Sequence, residues 1–232
     1  MNSRSALTAA LIVITLLQWI HGTLAALNDR IKIARGGAFP DVMISRQAAM
    51  NCVPSLKAPD DPPSGCSGGD PWDIHHYLSK SSLPDETCQP YEAKNQKCDA
   101  SGQCRNCFHP SMIGAPGTPD VDYTSPGCFS VASGPRYGVQ EYGGVAGELP
   151  MQNEILARGP IVCSIAADSS FMLEYEDHLV EGVYIDPSYF PADGTPSEHT
   201  SEEIDHDVEI TGWGTTVGGV PFWVARNSWG TC

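Results

Sequence analysis

Nine cysteines in a chain of 232 residues constrain this sequence more than any other feature. Five of them fall between Cys88 and Cys128, where Pro and Gly interrupt the chain repeatedly, so covalent links must replace much of the core there. Cysteine usage of this density points to an oxidising compartment rather than the cytosol. The odd count suggests a free thiol or a missing partner. Metal binding is the competing use, because Cys98, Cys104, Cys107 and His109 contain a CxxC beside a histidine, a possible zinc site. A disulfide framework explains more of the cysteines.

Hydrophobic residues make up 41% of the chain, enough for a real core in one or two domains. With 23 Gly and 19 Pro the fold must be turn-rich. Asp and Glu number 28 against 13 Lys and Arg, a formal net charge of −15. Nucleic-acid binding draws on a surplus of cations that is missing here, so no nucleic-acid partner is expected, and anionic membrane surfaces are disfavoured for the same reason.

Residues 6–20, ALTAALIVITLLQWI, follow Arg4 and precede the small residues Ala25 and Ala26, the pattern of a secretory signal. The run is short of the ~20 residues a membrane helix needs, so no membrane span is expected. Across the same stretch Ile20, Leu24, Leu27, Ile31 and Ala34 recur at helical spacing, and Gly36, Gly37 and Pro40 supply a stop. Further helices are expected around 45–50, 72–79 and 150–158. Beyond Pro160 the text turns strand-like, at 161–167, 208–214 and 220–229. A helical half is thus followed by a sheet half.

The last two strands flank the turn GTTVGG at 214–219. A hairpin centred midway between 216 and 217 sets His206 opposite Asn227, unless a bulge shifts the register. Such a pair is half of a nucleophilic apparatus. The amide oxygen accepts the Nδ1 proton and leaves the other ring nitrogen to act on a Cys or Ser.

The segments WxHGTLAALNDRI at 19–31, CSGG at 66–69, PDETCQPYEAKNQKCD at 84–99, GPIVCSI at 159–165, HDVEITGWG at 206–214 and RNSWG at 226–230 resemble the papain-like cysteine peptidases. His21 after Trp19, with Cys88 and Cys98, favours the cathepsin X (cathepsin Z) branch. The resemblance implies an α+β, two-lobed fold. Residues 1–17 would be a signal-like or unrelated start, 18–150 the helical, disulfide-rich lobe and 151–232 the β lobe. His206 would be the general base, Asn227 its orienting partner and Trp229 the shield over their hydrogen bond. Gly68 and Gly69 would pair with an extended substrate. Disulfides Cys52–Cys98, Cys88–Cys104 and Cys107–Cys128 are implied. Cys66 would lose its mate to Thr15, Cys163 would pair with a Cys in a missing tail, and Cys232 has no counterpart.

One departure is severe: Gln18 stands where the family carries its nucleophilic Cys, and a carboxamide cannot replace a thiolate. The expectation is a peptidase homologue, truncated at both ends and inactive as written, with peptides or proteins as partners and no cofactor. A secreted, non-catalytic binding module is the alternative. The setting would be lysosomal or extracellular.

Between Asp186 and Asp207 the chain carries seven acidic residues and no Lys or Arg. Either this is a solvated acidic loop, or its carboxylates raise the pKa of His206 and repel acidic substrates.

Overall fold

The computed structural model describes residues 18–63, 65–107, 128–131, 134–187 and 203–230. The signal-like segment 1–17, His109, Cys232 and most of the 186–207 loop lie outside the described residues. In chain order the elements are helices α1 (Gln18–Ala34), α2 (Arg46–Cys52) and α3 (Pro71–Lys80), strand β1 (Leu83–Pro84), the single turn α4 (Ala100–Gln103), and strands β2 (Arg105–Cys107), β3 (Cys128–Ser130) and β4 (Arg136–Tyr137). Then follow α5 (Glu148–Arg158), β5 (Ile161–Ile165), α6 (Ser169–Leu173), β6 (Leu179–Val180), β7 (Val183–Tyr184), β8 (His206–Thr215) and β9 (Pro221–Arg226). They form two compact units, Ala38–Gly143 and the pair of segments Met1–Gly37 and Gly144–Cys232. The first helix thus groups with the sheet of the second unit.

In the unit of β5, β8 and β9, helix α1 buries the first three positions of the stripe read from the sequence, while Ile31 is half-buried and Ala34 exposed. Trp19, Ile20, Leu24 and Leu27 are all within the core. The helix ends where two glycines take positive φ, Gly36 at 61° and Gly37 at 78°. Their amides return to the carbonyls of Ile33 and Lys32, closing the last turn. Cleavage between Ala25 and Ala26 would cut through this buried helix. Gly22 lets α1 lie directly on β8, because a Cβ there would stand 2.7 Å from the Asp207 carbonyl oxygen. Arg30 reaches from α1 to the C-terminus of α5. Its guanidinium donates to the carbonyls of Pro160 at 2.7 Å and Gly159 at 3.2 Å and pairs with Glu154 at 3.0 Å, a cation at the negative end of a helix.

The sheet runs β5-β8-β9 and is antiparallel throughout. Val208, Ile210 and Ile155 of α5 make its small core, with Ile161, Cys163, Ile165 and Trp223 packed round them. The hairpin register differs from the one expected. Thr215 faces Pro221 and Trp213 faces Trp223, so the turn is centred on Gly218, and a bulge at Thr211 shifts the pairing to Ile210 with Ala225. The turn closes later than GTTVGG suggests, because Thr216 bonds across to Val220 through both its amide and its hydroxyl.

The unit Ala38–Gly143 is organised by buried polar groups as much as by apolar ones. Ser45 caps α2 by accepting from Ala48 N–H at 2.9 Å and donates to the Gln89 carbonyl at 2.6 Å. Gln47 donates to the Lys94 carbonyl and accepts from Glu92 N–H, while Asn51 donates to the Gly102 carbonyl. These bonds fasten residues 92–102 to α2. Ile44, Met50, Ile74, Leu78 and Leu83 form the apolar part of the core. Three disulfides complete it, Cys52–Cys98, Cys88–Cys104 and Cys107–Cys128. Every cysteine of the zinc reading is thereby oxidised, which removes the thiolates such a site requires. Cys66 and Cys163 are free thiols.

Candidate active site

His206 opens β8 and is 3% exposed, held under strand β8's pairing with β5 and the helix α1. Its Nε2 lies 2.9 Å from Oδ1 of Asn227. The same oxygen accepts from Ser228 N–H at 2.7 Å, which identifies it as the carboxamide oxygen and makes Nε2–H the donor. The structure therefore brings the two residues together, but by the opposite ring nitrogen from the one expected, and not as ladder partners. Asn227 lies just past the end of β9, and its side chain reaches back to His206.

The ring orientation that selects Nε2 has a visible support. Trp229 stacks on the imidazole with centroids 5.0 Å apart and planes at 21°. Phe171 of α6 meets the indole edge-on at 5.7 Å and also meets Tyr184 at 5.2 Å. Tyr184 is fixed by Ser170 at 2.8 Å. Asp168 caps the helix that carries Phe171, accepting from Phe171 N–H at 3.0 Å. None of Phe171, Ser170 or Tyr184 was singled out in the sequence; their only signal was an aromatic and a serine in a short capped helix.

With Nε2 engaged, Nδ1 is left buried with no hydrogen-bond partner among the described residues. A bare lone pair buried in a protein is costly unless a proton donor meets it during function. Burial is the largest influence on the imidazole and pushes its pKa below the ordinary value, against the opposing pull of Asn227 and Asp205. Among the described residues Asp205 of the acidic stretch favours the charged ring, and burial outweighs it. Asp205 is itself tied to Ala167 N–H at 2.9 Å.

Gln18 is the first residue of α1. The contact of Gly22 with Asp207 lies one helical turn, about 6 Å of rise, further on. Gly68 and Gly69 belong to the unit Ala38–Gly143, after the short turn Gly65–Ser67. Gly68 adopts φ 103°, a conformation that favours glycine.

Residues 18–232 match the papain family cysteine proteases, and the chain belongs to that family. Among curated proteins it is 33% identical to cathepsin Z of Onchocerca volvulus over 92% of this chain and 56% of that protein. It is 26% identical to cathepsin S of Rattus norvegicus over 91% of this chain and 52% of that protein. Among solved structures, digestive procathepsin L2 proteinase from Tenebrio molitor larval midgut superimposes with a TM-score of 0.59 at 24% identity, covering 91% of this chain and 51% of that one. The fold is papain-like and α+β, and the chain spans about half the length of these relatives.

Proposed function

We propose that this chain is a cathepsin Z-like peptidase homologue that keeps the base half of the catalytic pair and does not hydrolyse peptides. The observation that carries the reading is Gln18, next to Trp19 at the start of α1, in the position where the family has its thiol. A peptidase of this class needs a nucleophile whose proton His206 can take, and a primary amide is neither acidic nor nucleophilic enough to supply one. The His206–Asn227 pair and its Trp229 cover support retention of the base geometry. The role left to the chain is binding an extended peptide, with Gly68 and Gly69 as its backbone partners. Three disulfides and the family support a lysosomal or extracellular setting.

The test is to assay the chain and its Gln18→Cys variant against peptide substrates and a thiol-reactive peptidyl epoxide. The expected result is no turnover and no site-directed labelling of the parent, and epoxide labelling at residue 18 in the variant. Turnover by the parent that disappears in Cys66→Ser or Cys163→Ser would overturn the proposal, because one of the free thiols would then be the nucleophile.

A further inference from the structure

A cavity lies at the far end of β8 from His206, where the hairpin tip meets the first turn of α5. It measures about 380 Å³. Trp213, Phe222 and Trp223 form one wall, with Met151 and Glu148 of α5 opposite. That volume falls within the ~300–1,000 Å³ of ordinary small-molecule sites. The two indoles meet edge-on across the hairpin with centroids 6.4 Å apart and planes at 66°. The Phe222 ring lies over Gly214, where a Cβ would come within 2.5 Å of it, so the missing side chain lets the ring settle against the strand. Trp213, which lines the cavity, is 39% exposed.

Glu148 sets the chemistry. One of its oxygens accepts from Gln152 Nε2–H at 3.0 Å, and it has no Lys or Arg partner among the described residues. The described part of this unit holds 13 Asp and Glu against five Lys and Arg. The π faces of aromatic rings are negative, and a carboxylate at the rim with no Lys or Arg partner among the described residues adds a full charge of the same sign. An anion would be repelled by both. A neutral apolar molecule would use the wall and waste the carboxylate.

We infer that this cavity binds an organic ammonium ion, an alkylated or quaternary amine whose head packs against Trp213 and Trp223 while Glu148 balances its charge. It is separate from the His206 site and stands whether or not the chain hydrolyses peptides. Cation–π recognition of this kind depends on charge as well as shape, which separates it from simple apolar binding.

The experiment follows indole fluorescence and indole N–H NMR signals during titration with choline and with its uncharged isostere 3,3-dimethylbutan-1-ol. Choline is expected to perturb the signals of Trp213 and Trp223, with the isostere binding roughly tenfold more weakly. Glu148→Gln should weaken choline several-fold without changing the isostere, and Trp213→Ala should abolish the response while Trp213→Phe recovers part of it. A short peptide carrying trimethyllysine forms the second arm. Tighter binding of that peptide than of choline assigns the cation to a partner protein, and the reverse to a free amine. Equal binding of choline and the alcohol overturns the proposal, as does a choline affinity unchanged in Glu148→Gln or the absence of any response in the folded parent.

Discussion

Two influences compete at His206. Removal from water disfavours the imidazolium, whereas the Asn227 oxygen and Asp205 favour it, and burial is the larger. An NMR titration should place this histidine below its ordinary 6.5. Asn227→Ala removes a contact that stabilises the charged ring, so the variant should titrate lower still; a rise would show that Asn227 orients the ring without favouring its charge. The sign for stability follows from the depressed pKa. The contribution is fully present above 6.5 and is lost as pH falls through the folded value, since the unfolded chain then binds a proton more readily. That His206 and Asn227 act together was legible in the words HDVEITGWG and RNSWG. Which nitrogen faces Asn227 was not, because it depends on how the ring is turned, and that is set by Trp229 and, behind it, Phe171. No local sequence pattern records a stack between residues so far apart along the chain.

The hairpin owes its alignment to one ionic group as well as to its ladder. Glu209 of β8 is fully buried and faces Arg226 across the strands, and the two are ion-paired. Arg226 also pairs with Asp29 of α1 at 3.1 Å, so strand, strand and helix meet at one guanidinium next to Asn227. Burial pushes the Glu209 carboxyl up to about 7, with Asp29 adding to the rise and Arg226 opposing it. A raised carboxyl pKa contributes stability that is complete below 4.5 and is lost as pH rises through about 7. Thermal melts should therefore show a lower Tm at pH 8 than at pH 5, with the gap narrowed in Glu209→Gln. An identical pH gap in that variant would locate the dependence elsewhere. Arg226→Met should cost about 1–3 kcal/mol, measured by urea unfolding at neutral pH, because it strands a buried carboxylate while the lost partner was half in water. The strands themselves were legible from their Val, Ile and aromatic content. Their register was not: one bulged residue, Thr211, and a turn closed by the Thr216 hydroxyl moved the pairing off the value that chain counting gives.

Cross-links are distributed unevenly over the molecule. All three disulfides among the described residues lie within Ala38–Gly143, where the sheets have two strands each and short polar segments are tied to α2 by Gln47 and Asn51. The unit of α1 and the β5-β8-β9 sheet has none among the described residues, which are held by apolar packing and the Arg30 and Arg226 ion pairs. The bonds close loops 46, 16 and 21 residues long. On the chain-entropy argument each contributes about 3–4 kcal/mol, so together they rival the roughly 5–15 kcal/mol that a whole domain commands. This imbalance was visible in the clustering of cysteines, although the polar network that shares the work was not, since Gln and Asn give no burial signal of their own. Mild reduction at neutral pH should accordingly unfold one unit first. Hydrogen exchange followed by mass spectrometry should show amides of α2, α3 and residues 92–107 losing protection while those of α1, β5 and β8 keep theirs. Loss of protection in both units at the same reductant concentration would mean that they unfold as one cooperative body, and that the disulfides hold the sheet as firmly as they hold the loops they close.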